Sequence, residues 1–153
     1  MRPLFPDGFR NDVQIVATIL SVDRDNSPTV AALIGASAAL HVSDIPFAGP
    51  VAGVNVGLVD GEFIINPTLA EQANSQLDLT VAGTKDAVMM VEAAANEVPE
   101  TIALEAINFG HAVVQEICEL QAEIRSKIGK EKLEVTVAKP EAEVDEWVRS
   151  QIN

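Results

Sequence analysis

Several residue types on which common active sites depend are scarce or missing in this chain of 153 residues. Tyrosine is absent, and the two histidines, His41 and His111, are too far apart to form a metal-binding motif. The single cysteine, Cys118, cannot form an internal disulfide, which suits a reducing compartment. There is also no Walker loop, Gly-x-Ser-x-Gly elbow or Cys-x-x-Cys pair. The sequence therefore contains no self-sufficient catalytic motif, and ordinary packing is favoured for these three residues.

Basic residues are scarce as well, with 10 Lys and Arg against 23 Asp and Glu and a net charge of −13. Most of the acidic excess is C-terminal, since residues 91–153 hold 13 acidic and 6 basic side chains. Affinity for nucleic acids comes largely from Lys and Arg bound to phosphates. Any contact with RNA must therefore be local, or depend on parts outside this chain.

Long apolar runs are missing too. No stretch approaches the roughly 20 apolar residues of a membrane helix, and residues 1–6 lack the apolar region of a secretion signal. At the same time, 48% of the residues are hydrophobic, which is enough for one compact core in a chain of this size. The sequence therefore predicts a cytoplasmic protein without a membrane anchor.

The early part of the chain predicts a strand followed by a helix. Residues 13–22 are apolar and rich in β-branched side chains, as in a strand that is covered on both faces. Ser27 and Pro28 then predict the N-cap and the first residue of a helix over residues 30–40. Because that helix is rich in Ala, Ser and Gly, it can pack unusually close to a sheet.

The next predicted strand, within residues 49–61, separates its side chains by size. Valines and a leucine occupy one face, whereas glycines and Asn55 occupy the other, so another element can approach that second face closely. Asp60-Gly61 predicts a tight turn into a returning strand over residues 62–66. A glycine-rich phosphate loop is the alternative interpretation, but no lysine follows the glycines and no helix begins after them. Close packing is therefore favoured.

The later part of the chain predicts two more strands and a long helix. Residues 77–83 alternate as a half-buried strand, and residues 88–91 form the next strand after a turn at Lys85-Asp86. From Pro99 an apolar stripe continues to a cap at Gly129. A helix of this length extends about 45 Å at 1.5 Å per residue, so we expect it to lead out of the core.

These elements suggest two units. Residues 1–129 are expected to form one partial core domain that ends in the long helix, and residues 130–153 a charged linker with the start of a helical region. Met89 and Met90 are open to interpretation as soft metal ligands, but filling gaps in a core is favoured for methionine. We therefore predict no metal site.

Five short motifs follow one another along the chain. They are Arg2-Pro3-Leu4-Phe5-Pro6-Asp7-Gly8-Phe9, Ile34-Gly35-Ala36-Ser37-Ala38-Ala39-Leu40, Ile45-Pro46-Phe47-Ala48-Gly49-Pro50, Val81-Ala82-Gly83-Thr84 and Phe109-Gly110-His111. Together they resemble polyribonucleotide nucleotidyltransferase, or polynucleotide phosphorylase, over nearly the whole chain, fading after about Gly129. The resemblance is to the later part of the family's first core domain and the start of its helical linker domain.

The resemblance implies an α+β fold. The expected architecture is an RNase PH-like core of βαβ units, like domain 2 of ribosomal protein S5, with a mixed sheet packed on helices and a long C-terminal helix. The first core's opening strands, the second core and the RNA-binding KH and S1 domains have no counterpart here, so the chain is expected to be a fragment. Without those opening strands, residues 13–22 would expose an apolar edge, and we expect self-association or a partner that replaces the strands.

The resemblance also implies an activity. The family degrades RNA processively from the 3′ end with phosphate, releases nucleoside diphosphates and works as a ring-shaped homotrimer. Our leading hypothesis is a fragment of such an exoribonuclease that contributes structure and RNA channel rather than catalysis. The alternative is a non-catalytic scaffold subunit of an exosome-like ring. An unrelated α+β binding domain is a third possibility, which the ordered motifs disfavour.

The family places catalysis in its second core, and the matching positions of this chain are depleted. Residues 26–30 stand where that core has a serine-rich phosphate cradle, and Gln72 stands where a metal-binding acid would fall. Asp78 is the surviving carboxylate of a motif that has lost its lysine. Phosphorolysis needs an oriented phosphate, positive charge and a metal held by carboxylates. We therefore predict no catalytic residue, no metal ligand and no cofactor in this chain, with Mg²⁺ implied only for the complete enzyme.

One residue is predicted to contact RNA. The resemblance places Arg2 near the RNA path of the ring, although a solvated side chain is an equally good interpretation of a lone arginine at this position. RNA binding by this chain alone is expected to be weak or to require the complete enzyme.

Overall fold

A computed structural model describes residues 1–152 as one antiparallel sheet packed with helices. The strands are β1 (Ala52–Val59), β2 (Glu62–Ile65), β3 (Leu77–Gly83) and β4 (Val88–Ala95). The helices are α1 (Thr29–Val42), α2 (Leu69–Gln72), α3 (Glu100–Ile128) and α4 (Ala142–Ile152), and a 3₁₀ turn covers Arg2–Leu4. The strands lie in the order β2-β1-β3-β4. This arrangement confirms the α+β fold class with a long helix.

The β1–β2 hairpin forms as its sequence predicts. Asp60 and Gly61 connect the strands, with φ angles of 51° and 84°, and Val59 pairs with Glu62. A left-handed conformation at both positions is what a two-residue turn of this kind requires, and it is least strained at Asn, Asp and Gly. The turn chemistry therefore fixes the register of β2.

The apolar face of the sheet is covered by α3. Val54 and Val81 are paired neighbours in the sheet and are fully buried. Gly110 lets the helix backbone come close, because a Cβ atom built there would lie 2.9 Å from Val56 Cγ2 and 3.2 Å from Val81 Cγ2. Glycine at this position therefore sets the distance between helix and sheet.

The glycine face of β1 receives α1, as predicted from the alternation of its side chains. A Cβ atom at Gly53 would lie 2.6 Å from Leu33 Cδ2 of α1, so a larger residue would displace the helix. Ser37 of α1 is fully buried, and its Oγ accepts a hydrogen bond of 2.9 Å from the Val51 N–H. The sheet thus lies between α1 on one face and α3 on the other.

The long helix α3 stays on the sheet for most of its length. Its buried residues recur about once per turn, and they are Ala106, Gly110, Val114, Cys118 and Gln121. Residues 100–105 at the start of the helix and the last two turns carry no buried residue, and at the start Ile102 still packs against the core. The expectation that the helix leads out of the core holds only for its C-terminal end, because the stripe of small and apolar residues keeps the rest against β1 and β3.

Residues 130–138, predicted as a linker, run back along the domain. The backbone N–H of Lys130 donates to Val42 O at 2.8 Å, and Leu133 N–H donates to Asp44 O at 2.8 Å. Further along, Ala138 N–H donates to Gly8 O at 2.9 Å. The segment thereby connects the C-terminal end of α1 to the N-terminal region around Gly8. The division of the chain at residue 129 stays a prediction.

The predicted strand over residues 13–22 does not form, and this prediction was wrong. The segment has no strand pairing and is exposed throughout, with Leu20 93% and Val16 73% accessible. A strand is stabilised by ladder hydrogen bonds to a neighbour, and residues 1–152 supply none for this segment. The sheet is consequently antiparallel in every pair described, and not mixed as predicted.

Other boundaries shift by small amounts. The N-cap of α1 is Pro28 and its first residue Thr29, one position later than predicted, while the predicted cap Ser27 accepts from the Thr29 N–H through its Oγ at 3.4 Å. Strand β4 extends over residues 88–95, beyond the predicted half. Within residues 1–152 no helix combines the length and the apolar character needed to cross a bilayer.

Candidate functional site

The predicted remnant of a catalytic motif lies where β3 meets α2. Asp78 of β3 is paired with Gly57, so its exposed side chain points to the glycine face of the sheet. Gln72, the last residue of α2, donates a hydrogen bond from Nε2 to Asp78 Oδ2 at 2.9 Å. Two residues that the resemblance assigns to separate motifs are thus in direct contact.

A capping box fixes α2 and thereby Gln72. Thr68 Oγ1 accepts from the Glu71 N–H at 3.3 Å, while Glu71 Oε2 accepts from the Thr68 N–H at 2.7 Å and from its hydroxyl at 2.8 Å. The hydrogen bond from the Thr68 backbone, and to a smaller extent the one from its hydroxyl, lower the pKa of Glu71. Ser75 then accepts from the Leu58 N–H at 2.8 Å and holds the turn from α2 into β3. Gln72 is therefore positioned by its neighbours.

The pair of Gln72 and Asp78 does not fit a catalytic Mg²⁺ ion. Divalent magnesium needs several oxygen ligands, usually including carboxylates, and one oxygen of the single carboxylate here already accepts an amide hydrogen. Nowhere in residues 1–152 do three or more His, Cys, Asp or Glu side chains gather in a way that could hold a metal. The Gln72 amide therefore engages the Asp78 carboxylate as a hydrogen-bond donor and leaves this pair with a single negative charge.

The loop before α1 lies next to this pair. Leu69 N–H of α2 donates to Asp25 O at 2.9 Å, which joins the loop to α2. Within the loop, the hydroxyls of Ser27 and Thr29 are 3.0 Å apart and hydrogen-bond to each other. Asp23 Oδ1 accepts from the Asp25 N–H at 2.6 Å, so a carboxylate is held within the same loop. The structure thus connects this loop to α2, the helix that carries Gln72.

Arg2, the predicted RNA contact, lies apart from these residues in sequence and is exposed in the 3₁₀ turn. Its side chain makes no hydrogen bond or ion pair with any other part of residues 1–152. The turn is held by aromatic packing, since the Phe5 ring lies 5.5 Å from Phe47 and 5.4 Å from Phe9 between centroids. The turn therefore presents the Arg2 guanidinium to solvent, and the role of this side chain in RNA binding stays a prediction.

A second polar cluster closes the C-terminal end of α1. Lys132 Nζ donates to the carbonyl oxygens of Leu40, His41 and Ser43 at 2.9, 3.1 and 2.7 Å. Such a cap satisfies carbonyls that the helix leaves unpaired and complements its dipole. Burial lowers the pKa of Lys132, and the nearby positive charge of Arg125 lowers it further. The negative charge of Asp44 acts in the opposite direction. This cluster serves the fold and carries no reactive group.

Comparisons with known proteins agree with this geometry. Residues 49–113, from β1 into α3, match the family described as "3' exoribonuclease family, domain 2". The polyribonucleotide nucleotidyltransferase of Oceanobacillus iheyensis is 58% identical over 99% of this chain, and that of Brevibacillus brevis is 60% identical over 98% of it. The chain is a homologue of part of the polyribonucleotide nucleotidyltransferases. It spans about a fifth of those proteins, since the matches cover 21% of each.

A solved structure supports the same fold. The crystal structure of rice (Oryza sativa) Rrp46 aligns with a TM-score of 0.59 at 19% identity, covering 69% of this chain and 51% of that one. At this level of identity the likeness concerns the fold alone. The RNase PH-like architecture expected from the sequence motifs is thereby confirmed.

Sequence reasoning missed one feature of this polyribonucleotide nucleotidyltransferase homologue. The turn between β3 and β4 is fastened to α3 by three side chains one turn apart, His111, Gln115 and Glu119. The His111 Nε2 lies 3.0 Å from Thr84 O, Gln115 Nε2 donates to Lys85 O at 2.8 Å, and Glu119 pairs with Lys85 Nζ at 2.9 Å. The i, i+4, i+8 spacing was the available signal, but only the fold shows what the three side chains reach.

Proposed function

We propose that this chain is part of a phosphorolytic 3′-to-5′ exoribonuclease in which it supplies frame and RNA channel, and not the reacting groups. Such an enzyme cleaves RNA with phosphate and releases nucleoside diphosphates, with Mg²⁺ bound by the complete protein. The observation that carries the proposal is the hydrogen bond between Gln72 and Asp78. The sheet and its helices form, but Gln72 and Asp78 do not provide the ligands of a metal site. We expect this combination in a non-catalytic domain of an RNase PH-like enzyme.

The assembly belongs to the same proposal. We place the protein in the cytoplasm as part of a homotrimer, with Arg2 at the RNA path. The uncovered surface of residues 13–22 and α1 supports the part of the proposal that further strands complete this domain, because a cavity of about 650 Å³ lies between the segment and small residues of the helix such as Ala32 and Ala36. Strands from the remainder of an RNase PH-like core would fill this space and pair with the segment.

Replacement of the matching segment in the Brevibacillus brevis enzyme tests the proposal. A chimera carrying residues 1–152 of this chain is expected to assemble and to release ADP from poly(A) and phosphate at a rate near that of the parent. A chimera with Gly53→Leu serves as the control, because the added side chain would collide with Leu33 and disrupt assembly. An assembled chimera that releases no ADP would contradict the proposed role.

The Arg2 contribution has a separate test in the same chimera. Arg2→Ala is expected to weaken RNA binding and raise KM for poly(A), with kcat little changed, because a phosphate contact is lost while the reacting groups lie elsewhere. Arg10→Ala, a second exposed arginine of the same region, is the control. Unchanged KM in the Arg2 variant would leave that side chain without a part in RNA binding.

The alternative of a scaffold subunit in an exosome-like ring makes a different forecast. A scaffold subunit would fit a separate catalytic chain and not the remainder of the Brevibacillus brevis enzyme, so the chimera would not assemble into an active enzyme. The isolated chain, given poly(A), phosphate and Mg²⁺, releases no ADP under either proposal. Release of ADP by the isolated chain would contradict both.

A further inference from the structure

The junction between α1 and α3 contains two buried polar atoms without a hydrogen-bond partner among residues 1–152. One is Nδ1 of His41 on α1, and the other is Oε1 of Gln121 on α3. Both residues are nearly inaccessible to solvent, with 4% of the surface of His41 and 2% of that of Gln121 exposed. Folded proteins pair the great majority of such atoms with protein or with ordered water. Two of them in one junction therefore point to a bound partner.

Val51 shows that these two atoms belong to one small region. Its backbone N–H donates to Ser37 Oγ at 2.9 Å, and its carbonyl oxygen accepts from Gln121 Nε2 at 3.0 Å. Because both backbone atoms belong to one residue, Ser37 of α1 and Gln121 of α3 approach each other there, where the helices are in contact. His41 follows Ser37 by four residues and so lies on the same side of α1.

Ser37 supplies a third polar group at this place. Its side chain is fully buried, and its Oγ accepts the hydrogen bond from Val51. A hydroxyl group also has one hydrogen to donate, and within residues 1–152 that of Ser37 has no acceptor. The junction thus offers a hydroxyl donor, an amide acceptor and an imidazole nitrogen. A buried water molecule makes about three hydrogen bonds on average, which is the number that these groups provide.

Charges around the junction restrict what can bind there. Burial is the main cause of the lowered pKa of His41, and the positive charges of Arg125 and Lys132 lower it further. The same positive charges would repel a metal cation. An anion would meet Oε1 of Gln121, which only accepts hydrogen bonds. The bound species must therefore be neutral and must both donate and accept hydrogen bonds, and water is the smallest molecule with these properties.

We propose that one internal water molecule bridges Ser37, His41 and Gln121 and thereby joins α1 to α3. The water accepts a hydrogen bond from the Ser37 hydroxyl and donates its two hydrogens to Gln121 Oε1 and His41 Nδ1. The neutral His41 ring then carries its own hydrogen on Nε2, because the accepting nitrogen needs a free lone pair. The inference is independent of the exoribonuclease proposal, since it rests on the polar atoms of this junction alone.

The bridge completes a hydrogen-bond network at the point where the chain enters β1. Ser37 and Gln121 each hold a backbone group of Val51, and the water connects these two side chains to each other and to His41. A buried network in which every group is paired favours one packing arrangement, whereas unpaired groups are unfavourable. The water therefore fixes how the second half of α1 packs on α3.

The tautomer of His41 tests the arrangement without any variant. Nitrogen-15 NMR of the full chain at about pH 7.5, where the ring is neutral, shows which ring nitrogen carries the hydrogen. We expect Nε2–H for His41. His111 is the internal reference for this tautomer, because its Nε2 lies 3.0 Å from Thr84 O and a carbonyl oxygen only accepts. A hydrogen on Nδ1 of His41 would overturn the proposal.

Cross-relaxation between water and protein hydrogens detects the bridging molecule itself. A long-lived water is expected to give a cross-peak to the Val51 N–H in the wild-type chain. His41→Leu removes one of the three partners and should abolish this cross-peak, whereas the matched control His111→Leu should retain it. The bridge is disproved if the wild-type chain gives no cross-peak, or if His41→Leu gives one of full intensity.

Discussion

His111 Nε2 lies 3.0 Å from the carbonyl oxygen of Thr84, across 27 residues of sequence. The contact joins two of the motifs that resemble polyribonucleotide nucleotidyltransferases, since one ends at Thr84 and the other at His111. Thr84 Oγ1 also accepts from the Asp86 and Ala87 N–H groups at 3.3 and 3.2 Å, so the turn is organised from within as well. The two motifs thus form one structural unit that holds β4 in place.

Removal of this contact should loosen the turn. His111→Ala is expected to lower the free energy of unfolding by about 1 kcal/mol, the usual net worth of such a hydrogen bond. Glu119→Gln is the control, because its ion pair with Lys85 is about 60% exposed and contributes little. Urea unfolding of the two variants checks the difference. Equal losses in both would mean that the ring of His111 does not hold the turn.

Two glycines in helices should respond to alanine in opposite directions. At Gly110 the new methyl would lie 2.9 Å from Val56 Cγ2, so Gly110→Ala is expected to destabilise the protein by about 1 kcal/mol after the gain in helix propensity is counted. A Cβ atom built at Gly35 would have no atom of another element within 4 Å. Gly35→Ala should therefore stabilise the isolated chain by about 0.5 to 1 kcal/mol through its higher helix propensity. Thermal unfolding measures both. A stabilising Gly110→Ala would contradict the close packing of α3 on the sheet.

Restoration of the second carboxylate should restore cation affinity without catalysis. Gln72→Asp replaces the amide that donates to Asp78 with a like charge, which a divalent cation would neutralise. Calorimetric titration is expected to show weak Mn²⁺ binding to this variant and none to Gln72→Asn. Phosphorolysis by the isolated chain should stay absent, because a second carboxylate supplies neither a bound phosphate nor a nucleophile. Equal Mn²⁺ binding by the wild-type chain would disprove the assigned effect of the amide.

Acid should destabilise the fold partly through His41. The His41 side chain is buried, and this burial is the main reason that its pKa is below the ordinary value of 6.5. The positive charges of Arg125 and Lys132 lower the pKa further. As the pH falls, the unfolded chain takes up the proton before the folded one. The stability from neutral His41 is therefore complete above about pH 6.5 and is lost as the pH falls through the folded-state pKa.

Urea unfolding at pH 7.5 and pH 5.5 measures this contribution. His41→Leu is expected to show a smaller loss of stability over that interval than the wild-type chain. His111→Leu, which also removes an imidazole, is the control and should lose as much stability between the two pH values as the wild-type chain. An unchanged pH dependence in His41→Leu would assign the acid sensitivity to carboxylates instead.

Sequence reasoning succeeded where neighbouring residues decide the outcome. The Asp60-Gly61 turn, the separation of glycines and valines on β1 and the stripe along α3 all depend on local periodicity and backbone preference. It failed for residues 13–22, because apolar and β-branched composition indicates a capacity for pairing and not the presence of a neighbour. The family motifs were informative for a related reason, since each records a close contact between elements.

Residue identity and spacing were enough to predict the fold class and the family resemblance, and they carry the prediction that this chain lacks catalytic side chains. Packing of the chain was needed to show that Gln72 donates to the carboxylate of Asp78, that His111 reaches Thr84 and that β4 lies at the edge of the sheet. Each of these is a relation between segments that meet only after the chain has packed. Contacts between distant side chains and the order of the strands form only at that stage, so local sequence patterns do not predict them.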